Sequence, residues 1–147
     1  MDFRQMASAV TLKRFEGIWL ATKPAGAVVC AKLINGTLLM PYSLSEDRLT
    51  GHFFDCRLMD ETLLCRFEQF DSAHSGALLL RSAPNETLNG GLWVIEQLPE
   101  SVRKDISSLS ESLPGMQPIV WIRVLRKRTP EWAEKYFGED WPNKKTD

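Results

Sequence analysis

The two histidines of this chain are the first residues that could do acid–base or metal chemistry. His52 stands in LTGHFFDC, three residues before Asp55, and His74 stands in FDSAHSG, three residues after Asp71. Residues three apart in a strand point to opposite faces, so we expect no pairing of His52 with Asp55. In a turn, Asp71 could accept a hydrogen bond from His74 or cap its own backbone. A structural role is preferred for both histidines, and no catalytic residue is predicted.

The three cysteines, Cys30, Cys56 and Cys65, lie in apolar segments without CxxC spacing. An odd number without a spacing pattern suits reduced, buried thiols better than a disulfide framework. Cys56 and Cys65 alternate with polar residues, so each could face a barrel interior, although structural burial is favoured. Metal sites usually need three or four ligands at a recognisable spacing. We therefore predict no metal and no cofactor.

Aromatic side chains on separate predicted strands form the main candidate site. A barrel would bring several of them to one interior, and a pocket lined by aromatic rings with one or two polar groups is typical of small-molecule sites. Simple core packing is the alternative for each residue taken alone. The candidate ligand-binding residues are Trp19, Tyr42, Phe53, Phe67, Trp93, Trp121 and Arg123.

A second group of aromatic residues falls in the segment PEWAEKYFGEDWPNKK near the C-terminus. Aromatic residues of this kind are enriched at protein interfaces. Packing of the segment against the sheet is the favoured alternative. If the helix left the body, it would contact a second copy or a protein partner through Trp132, Tyr136, Phe137 and Trp141.

Short strands in succession must position these residues. Strand-like runs separated by turn signals fill residues 17–97, and Asn35-Gly36 is the strongest hairpin signal among them. Glycines inside strands, Gly51 and the pair Gly90-Gly91, predict bulges or bends that curl the sheet. A last strand follows at 117–128. The fold class is mainly β with a minor α part: a single antiparallel up-and-down β-barrel or a strongly curved sheet.

Three helical segments accompany the strands in one predicted domain over residues 1–147. The first, 1–14, repeats apolar residues at spacings of three and four. The penultimate helix, 99–113, has Pro99 at its start, and Pro114-Gly115 ends it. The C-terminal helix, 130–141, begins at a proline. The apolar stripe of the penultimate helix is Val102, Ile106, Leu109 and Leu113.

The opening of the strand region, RFEGIWL, contains a Phe-x-Gly-x-Trp pattern after a short helix. With about eight up-and-down strands and an arginine on the last strand, the chain resembles the lipocalins and the wider calycin group. The resemblance implies that Trp19 lies at the closed end of a barrel and that a basic residue of the last strand packs across its ring. That residue would be Arg123 or Arg126. Such a cation–indole contact contributes about 0.5–2 kcal/mol and ties the first strand to the last.

Composition excludes some partners. The net charge of −1 argues against electrostatic binding to nucleic acid or to an anionic membrane. No apolar run approaches the ~20 residues needed to cross a bilayer. The first fifteen residues contain no continuous apolar core of the kind that signal peptides use. We therefore predict a cytoplasmic protein.

The first functional hypothesis is a small cytoplasmic binding protein. Its barrel would take an apolar or aromatic molecule in the interior or at the open end. The alternative is a protein–protein interaction module with a filled barrel. A small barrel enzyme comes third, because the serines show no Gly-x-Ser-x-Gly elbow and Gly90-Gly91 lacks the helix that a phosphate-binding loop needs.

Overall fold

Eight strands form one closed antiparallel barrel in which each strand pairs with its neighbours in sequence and the last pairs with the first. The computed structural model describes residues 12–45, 48–125 and 128–138. The prediction of a mainly β, up-and-down barrel is confirmed. The strands are β1 (Gly17–Lys23), β2 (Ala25–Ile34), β3 (Thr37–Ser43), β4 (Gly51–Met59), β5 (Thr62–Gln69), β6 (Ser75–Ala83), β7 (Thr87–Val94) and β8 (Gln117–Val124).

Turn chemistry and side-chain alternation explain the strands. The two-residue turn between β2 and β3 uses Asn35 at φ 52° and Gly36 at φ 81°, as its sequence predicts. Along β5, Leu63, Cys65 and Phe67 point into the barrel. The residues between them point outward, so one strand supplies both the interior and the outer surface.

Of the bulges or bends predicted at Gly51 and at Gly90-Gly91, the bulges are wrong, because pairing continues through these residues without a shift of register. Register shifts occur instead in β1, between Leu20 and Lys23, and in β4, between Phe54 and Arg57. The glycines serve close packing: a Cβ at Gly90 would overlap the backbone of β6. The register shifts of this barrel therefore do not coincide with the glycines inside its strands.

The predicted continuous helix over 99–113 is also wrong. The connection from β7 to β8 holds a 3-10 turn (Ile95–Gln97), helix α1 (Glu100–Lys104) and a second 3-10 turn (Ile106–Ser108). Asp105 leaves the helical conformation, and its carboxylate accepts a hydrogen bond from the Ser107 N–H at 3.0 Å. Side-chain bonds of this kind compete with the backbone bonds of a helix.

The apolar stripe that predicted that helix is nevertheless packed. Val102, Ile106 and Leu109 are buried against the outer face of the barrel. Leu113 packs at the edge of the same group. We call this group the outer cluster; its buried members on the strands are Leu64, Ala77, Leu79 and Trp93.

Helix α2 (Glu131–Phe137) packs on another part of the outer face, where Trp132 and Ala133 contact Cys30. It covers the middle of the predicted segment 130–141, and β8 ends at Val124, short of its predicted bound. At the N-terminal side, residues 12–15 form a helical turn. The rest of the predicted helix 1–14 lies outside the described residues, as does Trp141. Within the described ranges, no helix is long and apolar enough to cross a membrane.

Candidate functional site

Trp19 and Arg123 lie together at one end of the barrel. The guanidinium carbon of Arg123 is 4.3 Å from the centroid of the Trp19 ring, and Trp19 is 1% exposed. The indole N–H donates to the Phe15 carbonyl at 2.9 Å. This is the cation–indole contact that the resemblance implied, with Arg123 as the cation. Arg126, the other candidate, lies outside the described residues.

Hydrogen bonds hold Arg123 in this position. Its Nη1 and Nη2 groups donate to the carbonyls of Glu16 and Arg14, the latter at 3.1 Å. Its Nε group donates to the Glu86 carboxylate at 2.5 Å. A planar guanidinium can make these bonds while it stacks on a ring. Arg123 therefore ties β8 to the segment that precedes β1, and this geometry fits a structural role better than contact with a ligand.

Four aromatic rings converge towards the opposite end of the barrel. β1, β3 and β5 run in the same direction, and Trp19 lies near the start of its strand whereas Tyr42 and Phe67 lie near the ends of theirs. Ring centroids are 4.9 Å apart for Tyr42–Phe53, 6.0 Å for Phe53–Phe67 and 5.3 Å for Phe53–Trp121. Tilted pairs at about 4.5–7 Å are favourable. We call Tyr42, Phe53, Phe67 and Trp121 the ring layer.

Two glycines make room for the Tyr42 and Phe67 rings of this layer. Gly51 pairs with Tyr42 across β3 and β4, and Gly76 pairs with Phe67 across β5 and β6. A Cβ at Gly51 would lie 2.8 Å from the Tyr42 hydroxyl oxygen. A Cβ at Gly76 would lie 2.8 Å from a ring carbon of Phe67. Any larger side chain at either position would displace a ring or the neighbouring strand.

Polar groups meet the ring layer at the strand ends. Burial raises the pKa of Tyr42 to about 12, while a hydrogen bond with the Gln69 side chain acts in the opposite direction. Gln69 is the last residue of β5 and is partly exposed. The ring of His74, in the following turn, lies 5.3 Å from that of Phe67. The Tyr42 hydroxyl, Gln69 and His74 thus place polar groups beside the rings.

Side chains fill the barrel between the ring layer and Trp19. The buried members of this interior cluster are at most 6% exposed, so a water-sized probe hardly reaches them. Eight strands enclose an interior just wide enough for side chains or for one small ligand. Here apolar side chains take that space, among them Val29, Leu38, Met40, Leu63, Cys65, Leu78, Leu80, Leu88 and Ile119.

The predicted site residues do not all share one space. Trp19, Tyr42, Phe53, Phe67 and Trp121 belong to the interior cluster. Trp93 belongs to the outer cluster, and its indole N–H donates to the Leu113 carbonyl at 3.3 Å. Alternation along β7 explains this, because Leu88 and Leu92 point inward and Trp93 has the opposite parity. Counting positions from Leu88 would have placed Trp93 outside.

His52 lies on the outer face of β4 and is 1% exposed. Its Nδ1 is 2.5 Å from the Tyr136 hydroxyl, and its Nε2 is 2.9 Å from the Glu68 carboxylate. Its ring stacks on Phe54 with centroids 4.8 Å apart. Although a carboxylate–imidazole–hydroxyl chain occurs in catalytic sites, this one joins α2 to the barrel. Its partners come from β5 and α2, which local sequence reasoning missed.

The other charged candidates form surface contacts. Asp55 pairs with Arg66 at 3.0 Å, and Asp71 pairs with Arg48. The His74 backbone N–H donates to the Ser72 hydroxyl oxygen at 3.2 Å. These contacts fit a structural role for both aspartates.

The aromatic side chains of α2 mostly face the barrel. Trp132 and Tyr136 are buried, and Phe137 is partly buried with the ammonium of Lys32 5.6 Å from its ring centroid. In the described part of this helix, packing against the sheet thus accounts for most of the aromatic surface.

A groove of about 700 Å³ lies between β5, β6 and the segment 107–112. Its lining includes Leu64, Leu79 and Leu109, together with Arg81 and Glu111, which form an ion pair. No aromatic ring is among its lining residues. It therefore lacks the stacking surface of the ring layer.

Across the residues that the structure describes, no group of three or more His, Cys, Asp or Glu side chains could hold a metal ion. In comparisons with protein-family models, curated proteins and solved structures, nothing matched this chain. Function is therefore inferred from the geometry of the chain itself.

Proposed function

We propose that this chain is a small cytoplasmic binding protein, calycin-like in type, that holds an apolar or aromatic molecule against the ring layer. The observation that carries the proposal is the convergence of four rings from four strands beside the Tyr42 hydroxyl, Gln69 and His74. Aromatic surface with few polar groups is the usual make-up of a small-molecule site. The Arg123–Trp19 stack supports the calycin-like type.

Binding requires side chains to move. The four rings are 3–5% exposed, so the ligand takes the place of groups that now cover them. Gln69 and His74 lie at the strand ends beside the rings, and the exposure of His74, greater than that of Gln69, makes it the first to move. Ligand surface removed from water contributes about 25 cal/mol per Å². The Tyr42 hydroxyl and the Gln69 amide orient the molecule.

Reduced cysteines support the cytoplasm as the compartment of this binding protein. Cys30, Cys56 and Cys65 form no disulfide in the structure. Thiols persist in this state where glutathione and thioredoxin keep them reduced.

Tryptophan emission tests the ligand proposal with a matched pair of variants. 4-Nitroanisole, a small neutral aromatic quencher, is titrated into the protein and into Trp121→Phe and Trp93→Phe. Trp121 belongs to the ring layer and Trp93 to the outer cluster. We expect saturable quenching that Trp93→Phe keeps and Trp121→Phe largely loses. Quenching that follows Trp93, or none that saturates, would overturn the proposal.

An interaction module is the second candidate, and the tight packing of the interior favours it. A module of this kind needs no cavity, and Phe137, partly exposed on α2, would lie at the edge of its contact surface. Native mass spectrometry of fresh protein separates the two functions. A small organic mass lost on denaturation supports ligand binding, whereas a dimer without added mass supports the interaction module.

A further inference from the structure

An irregularity in β4 turns Cys56 towards the barrel interior. Strands β4 and β5 lose register between Phe54 and Arg57, so that Asp55 and Cys56 together stand opposite Cys65. Asp55 adopts φ 52° and remains exposed. An extra residue of this kind reverses the alternation of side chains beyond it. Cys56 consequently packs against the interior cluster.

This reversal brings three sulfur atoms together on neighbouring strands. The Cys56 Sγ is 3.9 Å from the Met40 Sδ, and Cys56 lies across from Cys65 on the paired strand. Met40 and Cys65 are 0% exposed, whereas Cys56 is partly exposed. We call Met40, Cys56 and Cys65 the sulfur cluster. Its surroundings are mainly the apolar side chains of the interior cluster.

The donor set matches one class of metal ion. Thiolate and thioether sulfurs are soft ligands that select Cu(I). With metal–sulfur bonds of about 2.3 Å, three sulfurs in a trigonal arrangement lie about 4 Å apart. The separation of 3.9 Å between Cys56 and Met40 already fits that geometry. Partial exposure of Cys56 gives the ion a route from solvent.

We propose that Met40, Cys56 and Cys65 bind one Cu(I) ion inside the barrel. The ion replaces the thiol protons of Cys56 and Cys65, which leave to water, and the Met40 thioether coordinates as a neutral sulfur. The cation offsets one of the two thiolate charges, so the site carries a single negative charge. No electron is transferred, because the ion arrives already reduced. The site is separate from the ligand proposed for the ring layer.

Competition with the chromogenic Cu(I) chelator bicinchoninate, under anaerobic reducing conditions, tests the site on the full chain. We expect one Cu(I) per chain, with affinity at least tenfold lower in Met40→Leu and at least a hundredfold lower in Cys56→Ala and Cys65→Ala. Cys30→Ala is the control, because Cys30 packs under α2 in a different cluster. Release of two protons predicts about a hundredfold tighter binding per pH unit. Loss of binding in Cys30→Ala alone, or full binding in Met40→Leu, would overturn the assignment.

X-ray absorption on the wild-type complex keeps the test independent of how the variants fold. Three sulfur neighbours at about 2.3 Å are expected. Nitrogen or oxygen neighbours, or two sulfurs alone, would contradict the site. A contradicting result would leave the ring-layer proposal untouched, since that proposal involves other residues.

Discussion

At the scale of one residue, the backbone conformation and the neighbours of Gly17 explain why a glycine stands two positions before Trp19. Its φ is +131°, a conformation that other residues rarely adopt. A Cβ there would also overlap the Nη1 group of Arg123, which donates to the neighbouring Glu16 carbonyl. Glycine at this position therefore leaves room for the cation that covers the Trp19 ring.

Alanine substitution at two glycines separates the cost of a positive φ from the cost of overlap with the Arg123 side chain. Gly26 has a similar φ of +117°, but a Cβ there meets nothing within 4 Å. We expect Gly26→Ala to lower the free energy of unfolding by about 1–2 kcal/mol. Gly17→Ala should lose at least about 1 kcal/mol more, because Arg123 must move. Urea unfolding measures both; equal losses would mean that the overlap has no energetic consequence.

Tyr42 provides a pH test of burial in the ring layer. Its pKa is raised from 10.0 to about 12, so between these values the unfolded chain releases a proton that the folded chain keeps. The contribution of neutral Tyr42 to stability is therefore present below pH 10 and falls as pH rises through this window. The chain has two tyrosines, so comparing tyrosinate absorbance of the wild type with that of Tyr42→Phe isolates the titration of Tyr42. We expect a step near pH 12 that Tyr42→Phe removes; an unchanged titration in Tyr42→Phe would contradict the burial.

At the scale of elements, local sequence patterns were sufficient for most strands. Alternation and turn residues are local properties, so β5 and the Asn35-Gly36 hairpin were predictable. The helix over 99–113 was not, because the Asp105 side chain competes with the helical backbone. The irregular pairing of β4 was not predictable either, since no glycine or proline stands between Phe54 and Arg57 to indicate it.

The candidate site was predictable in part for the same reason. Strand position was enough to bring Tyr42, Phe53 and Phe67 to one interior. The partners of His52 were not predictable, because Tyr136 lies 84 residues away in sequence and reaches it only through tertiary packing. Long-range contacts of this kind leave no local pattern.

The contact between His52 and Tyr136 predicts local stability of helix α2. Tyr136→Phe removes the hydroxyl that lies 2.5 Å from the imidazole, which should lower the free energy of unfolding by about 1–3 kcal/mol. Amide exchange in Glu131–Phe137 should accelerate while exchange in β5 and β6 stays slow. Tyr42→Phe is the control, since it makes the same chemical change in the ring layer. Equal acceleration of α2 in both variants would show that the hydroxyl contact does not hold the helix.

At the scale of the whole molecule, the barrel has two different ends. Pairing of β1 with β8 joins distant parts of the chain, and Arg123 reinforces that closure at Trp19. The other end carries the ring layer and its polar neighbours. Whether such rings serve as core or as a ligand surface could not be predicted from periodicity, because strands that face either have the same pattern.

The most direct test of the ring layer as a ligand surface is an amide NMR map of the protein titrated with 4-nitroanisole. We expect saturable shifts concentrated at Tyr42, Phe67, Gln69 and Gly76, with little change around Arg123 at the other end. Shifts centred on the outer cluster near Trp93, or no saturable shift at any amide, would contradict binding at the ring layer.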